Sequence, residues 1–145
     1  MSISTKTTHP SPYPTKSQIH QIFTHLTNNN PTAFYAHVSD DANWTVMGSH
    51  ILSAHYTTKA SFLSSSLARI SAVIDGGLNL KIVSIIGGET EEWAVVEMLA
   101  DARCKNGLKY DQAYSWSTRW KDDKIVEVRA YLDGVLLNRA LEENE

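Results

Sequence analysis

The sequence predicts an α+β fold in which helices come first and a mostly antiparallel sheet follows. Three observations predict it. Ile19, Ile22, Phe23 and Leu26 fall at the i, i+3, i+4, i+7 spacing of one helical face. Phe62, Leu63, Leu67, Ile70 and Ile74 form a second such stripe. From residue 93 to 133 the pattern turns to alternation, broken at Asn106-Gly107 and Asp122-Asp123, as three long antiparallel strands joined by tight turns require.

Residues 1–16 are rich in Ser, Thr and Pro and are expected to form a flexible arm, with a single domain over 17–145. The first helix starts at residue 17 and stops at Asn28-Asn29-Asn30. Asn30-Pro31, a capping residue followed by proline in the first turn, opens a short helix over 31–38 anchored by Phe34 and Tyr35. A strand over 42–48 carries Trp44 and Val46 on one face, and Gly48 marks a bend or bulge. Residues 49–56 are irregular and hold His50 and His55. Thr57-Thr58 can cap a third helix over 59–74, which Gly76-Gly77 ends. A strand over 78–86 and a turn over 87–90 lead into the meander, whose strands span 93–104, 108–120 and 125–133. One or two helical turns follow over 134–142.

Side chains alternate along a strand, so Tyr110, Gln112, Tyr114, Trp116, Thr118 and Trp120 share one face. Glu97, Asp101 and Arg103 share a side with Trp93, Val95 and Leu99, and Glu127, Arg129, Tyr131 and Asp133 stand together on the last strand. Apolar lining with a few polar groups suits a small-molecule pocket.

At 145 residues the chain suits one domain with a substantial core. A formal charge of -3 with scattered basic residues argues against a nucleic-acid or anionic-membrane surface. The single cysteine, Cys104, precludes an internal disulfide and fits a reducing compartment. No run has the length of a transmembrane helix, and the start lacks the apolar core of a signal peptide, so the expected location is the cytoplasm.

Helix, short helix, strand, helix, then four antiparallel strands is the order of a cone-shaped fold. The stretch Asp40-Asp41-Ala42-Asn43-Trp44-Thr45-Val46-Met47-Gly48, the Gly107 hairpin, the strand from Tyr114 to Trp120 and the stretch Lys124-Ile125-Val126-Glu127-Val128-Arg129-Ala130-Tyr131-Leu132-Asp133 resemble the nuclear-transport-factor-2-like superfamily, its SnoaL-like and ketosteroid-isomerase-like branch in particular. The resemblance runs over about 17–141. It implies a curved sheet wrapped around helices, an apolar cavity, most members working without metal or organic cofactor, and a homodimer through the exposed sheet face. Asp133 matches the place of the acid/base carboxylate of SnoaL-like cyclases. Asp101 falls near a carboxylate of limonene-epoxide-hydrolase-like members, but Leu99 stands where they carry an arginine. Ketosteroid isomerases have an Asp base where this chain has Thr45 or Val46, and an acidic donor near Trp116.

With such a cavity, desolvation of Asp133 would let it exchange protons near neutral pH, its structural alternative being a helix cap. Tyr110 and Tyr114 can donate to a developing oxyanion, or serve as core aromatics. Glu97 and Asp101 would form a split acid/base pair if both lined the cavity. Trp44 and Trp116 are walls that shape the pocket or stack a flat substrate, with Arg129 and Tyr131 as further substrate contacts. His50 is placed to act at the mouth and His37 to reach the floor, although either alone more often has a structural role. The spacing of His50 and His55 matches no zinc motif, so no metal is predicted, and no nucleophile elbow or phosphate loop is present. The expectation is a cofactor-independent isomerase or cyclase acting on a hydrophobic polycyclic molecule of natural-product biosynthesis. An epoxide hydrolase or dehydratase using Asp101 and Asp133, and a non-catalytic binding or dimerisation module, are the alternatives.

Overall fold

The computed structural model describes residues 11–145. Most of the expected arm thus lies outside the described residues, and its last part is tied to the domain. Pro14 is buried, and its carbonyl accepts from the Glu89 N–H at 2.9 Å. Thr15 caps the first helix, α1 (Lys16–Thr27), in a reciprocal capping box with Gln18. Ile19, Phe23 and Leu26 are its buried stripe. Asn30 caps α2 (Pro31–Tyr35), which ends three residues before its expected limit and buries Phe34 and Tyr35. Then come β1 (Val38–Val46), β2 (Ala54–Tyr56) and a long helix capped by Thr58. That helix runs as α3 (Lys59–Phe62), a π-helical turn (Leu63–Leu67) and α4 (Ala68–Val73).

After β3 (Ile74–Asp75) and β4 (Lys81–Gly87), the first meander strand is divided into β5 (Trp93–Leu99) and β6 (Ala102–Cys104), and the return strand into β7 (Lys109–Tyr110) and β8 (Ala113–Lys121). The hairpin bends where Ala100 N–H donates to the Gln112 carbonyl and Asp101 N–H to that of Leu78. Its tip leaves the main sheet and pairs with β3 in a three-stranded sheet of order β3-β6-β7. The last strand, β9 (Lys124–Leu132), and α5 (Gly134–Asn144) complete the chain, α5 being longer than the one or two turns expected. The main sheet has the order β2-β1-β9-β8-β5-β4. Only β1 and β9 pair parallel there, with Val128 opposite Trp44.

One core lies between α1, α2 and the inner face of the main sheet, where Phe23, Phe34, Trp44, Trp116 and Trp120 pack. A second gathers Ile70, Val73, Tyr110, Leu137 and Leu141 around α4, α5 and the hairpin tip. Among the described residues no helix is long and apolar enough to cross a membrane.

Candidate functional site

Between the two cores is a cavity of about 260 Å³. Leu26 and Tyr35 bound it on the α1–α2 side, Phe62, Ser66 and Ile70 on the long helix, and Trp44, Tyr114, Trp116 and Ala130 on the inner sheet face. Asn29, Ser71 and Gly76 also border it and are exposed, which places the mouth beside them.

Tyr110 and Tyr114 converge on this space as their spacing predicts, although the hairpin bend lies between them. Tyr110 is fully buried, and its hydroxyl oxygen accepts from Gln112 Nε2–H at 3.3 Å. Tyr114 keeps part of its surface open where it borders the cavity. Tyr35 joins them from α2. Burial raises the pKa of all three phenols above its ordinary value, so each stays protonated at neutral pH. The Tyr110 and Tyr114 hydroxyls perturb one another, and Tyr35 acts on Tyr114.

Trp44 and Trp116 are cavity walls. Trp44 stacks on Phe62 with ring centroids 4.1 Å apart, so one face is already covered, and Trp116 meets it edge-on at 5.2 Å. Their role is to shape the cavity with edges and the remaining ring surface.

The carboxylates predicted for the cavity lie elsewhere. Asp133 is exposed, and its Oδ1 accepts from the N–H groups of Val135 at 3.0 Å and Leu136 at 3.2 Å. That is the capping role, and its carboxylate is spent on the orphan donors of α5. Glu97 faces the outer side of the sheet and accepts from the Ser84 hydroxyl. Asp101 is exposed at the hairpin bend. The side of β5 that enters the core is Ala94, Val96 and Met98, so the split carboxylate pair does not form in the cavity.

The remaining residues are also displaced. Arg129 and exposed Tyr131 lie on the outer sheet face, where the Arg129 guanidinium sits 4.4 Å from the Trp93 ring centroid and pairs with Glu127. His50 packs against Gly134 behind the wall rather than at the mouth. Its Nδ1 accepts from Leu52 N–H at 3.2 Å, leaving the neutral ring's proton on Nε2, which is buried and has no partner among the described residues. Burial lowers the His50 pKa. His37 stacks on His25 at 5.8 Å, away from the cavity floor, and its pKa is lowered by burial, His25 and Lys124. No Asp, Glu, His, Lys or Arg is among the described residues that line the cavity. The described residues include no cluster of three metal-ligating side chains.

Three residues gained a place here that the sequence did not assign. Tyr35 reads as a helix anchor, Ser66 has no assigned part, and Gln112 reads as a polar residue in an aromatic row. That last anomaly was the available signal, because a buried amide needs partners. Gln112 is 0 % exposed and has them: its Nε2 donates to Tyr110 and to the Asp133 carbonyl at 3.0 Å, while its Oε1 accepts from Asp133 N–H at 2.7 Å and Ala113 N–H at 3.0 Å.

No family model matches the chain. An NTF2-like protein from Burkholderia thailandensis superposes with a TM-score of 0.71 at 15% identity, over 85% of this chain and 93% of that one. The fold is nuclear-transport-factor-2-like. It is the fold that the resemblance in the strands implies. In sequence the chain is 30% identical over 135 residues to the dimerizing cyclase phiC of Fungal sp. (strain ATCC 74256), covering 92% of this chain and 59% of that protein. It is 27% identical over 136 residues to the dimerizing cyclase tstC of Talaromyces stipitatus, covering 92% and 60%. The chain thus spans about three fifths of the length of the curated relatives it matches.

Proposed function

We propose that this nuclear-transport-factor-2-like chain is a cofactor-independent cyclase or isomerase that rearranges a compact hydrophobic molecule of natural-product biosynthesis in the cytoplasm, working as a homodimer. The observation that carries the reading is the convergence of Tyr35, Tyr110 and Tyr114 on an apolar cavity. The two relatives named dimerizing cyclases support the reaction class.

Phenols held protonated by burial are donors, suited to an oxyanion or enolate that forms during ring closure. In surroundings with little water such a donor acts more strongly than in solution, and the aromatic walls restrict the substrate to few conformations. The volume, about 260 Å³, is near the lower end for ligand pockets, which favours one small ring system over a large polycycle. Water activation by Asp101 and Asp133 is disfavoured because both carboxylates lie outside the cavity. An open cavity bordered by hydroxyls also speaks against a binding module plugged by its own aromatics.

The test is ring formation by the purified chain with compact enone substrates, followed by mass spectrometry. Tyr114→Phe should lower the rate by about a hundredfold or more, as loss of an oxyanion donor does. The rate should stay flat from about pH 5 to about pH 10, the ordinary phenol value, because burial holds all three phenols protonated beyond it. A bell centred near neutrality would return the chemistry to a carboxylate or imidazole and overturn the phenol assignment.

A further inference from the structure

The buried polar side chains among the described residues are Ser66, Gln112 and Thr118. Two of them are fully engaged. The Gln112 amide makes the bonds given above, and the Thr118 hydroxyl donates to the Ala94 carbonyl at 2.7 Å and accepts from Trp120 Nε1–H at 2.9 Å. Ser66 Oγ has no partner among the described residues. It is also not one of the sealed orphan atoms, which are Trp44 Nε1, His50 Nε2 and Trp116 Nε1, so the oxygen itself keeps open surface. Ser66 is buried and borders the cavity, and that surface is therefore the cavity's.

A hydroxyl on a helix usually spends its proton on a carbonyl one turn back. In this chain Thr24 does so on His20 at 2.7 Å, Thr27 on Thr24 at 2.8 Å and Ser64 on Ser61 at 3.3 Å. Ser66 does not. It stands in the π-helical turn, where Ala68 N–H reaches back to the Leu63 carbonyl, and such turns concentrate at functional sites.

Resting on the reading of this cavity as the substrate site, we propose that Ser66 is a specificity-determining residue whose free hydroxyl bonds an oxygen of the substrate on the long-helix wall, while the phenols of α2 and β8 take a second oxygen. The substrate is then an uncharged ring compound with at least two oxygen functions. A buried hydroxyl without a partner lowers stability, and Ala would suit the helix better, so nothing in the free protein favours Ser at this place. A bound oxygen supplies the missing partner. No Asp, Glu, His, Lys or Arg is among the described lining residues, so a charged ligand would be buried without a counter-ion.

The experiment compares 4-hydroxy-1-tetralone with 4-methyl-1-tetralone, which keeps the ring system and the ketone and puts a methyl in place of the hydroxyl, by titration calorimetry on the chain. The hydroxy compound should bind about tenfold more tightly, as one added hydrogen bond does. Ser66→Ala should bring the ratio close to one, and its urea midpoint should equal or exceed that of the wild type. Tyr114→Phe should weaken both probes and leave their ratio unchanged, because both carry the ketone. Equal binding of the two probes to the wild type, or a preference that survives Ser66→Ala, overturns the Ser66 assignment alone. A lowered urea midpoint or failure to fold in Ser66→Ala would show the hydroxyl to be structural and overturns it as well. If neither probe binds, the cavity is not a ligand site and the functional reading fails with it.

Discussion

Asp133 and Gln112 meet at one corner, and the division of labour between them decides which group is structural. The Asp133 side chain takes two N–H groups of α5, while its backbone N–H and carbonyl are both held by the Gln112 amide. The acid next to the aromatics is thus a cap, and the neutral amide is the residue that touches a cavity phenol. Replacement separates these roles. Asp133→Asn keeps a capping oxygen and should leave stability nearly unchanged, whereas Asp133→Ala should cost about 1 kcal/mol in urea unfolding. Neither should impair ring formation beyond that loss, and a large fall in turnover for a fully folded Asp133→Asn would restore the catalytic assignment. From sequence, the acid was visible as a cap or a catalyst because Asp suits both. What resolves the choice is whether the carboxylate faces the α5 N–H groups or the cavity, and that depends on the angle between β9 and α5.

At the scale of elements, alternation located the inner face of β8 without error because only one face carries large aromatics: Tyr114, Trp116 and Trp120 against Ser115, Ser117 and Arg119. It did not settle β5, whose two faces are both apolar, Trp93, Val95 and Leu99 against Ala94, Val96 and Met98. The core takes the second set, and Glu97 and Asp101 go outward with the first. The bend between β5 and β6 was equally invisible, since nothing in Ala100-Asp101 excludes a continuous strand. The β4–β5 turn, by contrast, was legible in its glycines. Gly87 has φ of +89°, and a Cβ there would stand 2.5 Å from the Trp93 carbonyl oxygen. That oxygen accepts from Gly88 N–H, so it cannot simply move away. Gly87→Ala should therefore destabilise the protein by more than about 1 kcal/mol, seen as a lower urea midpoint at unchanged slope. Full stability would mean that the turn relaxes into another conformation.

For the whole molecule the unsettled surface is the outer face of the main sheet. Ile86 is 56% exposed, Leu99 46% and Tyr131 44%, on a face that also carries Trp93 and the ion pairs of Glu127 with Arg119 and Arg129. Pairing sets Ile86 beside Val95 and Tyr131 beside Ser115, so these side chains share one face of the sheet. Apolar groups rimmed by charges are the pattern of an interface core with a polar edge. A second copy meeting this face would bury the apolar groups, and the sheet would keep the two cavities on opposite sides of the pair. The homodimer proposed above then makes a separable prediction. By light scattering the wild-type chain should have twice the chain mass, and the double variant Leu99→Lys, Tyr131→Lys should have the chain mass while its rate of ring formation is unchanged. A wild type that is monomeric at micromolar concentration would remove the homodimer. A variant that loses both assembly and ring formation would show that the outer face supports the cavity through the sheet, because Ser115 and Tyr114 are neighbours on one strand and move together.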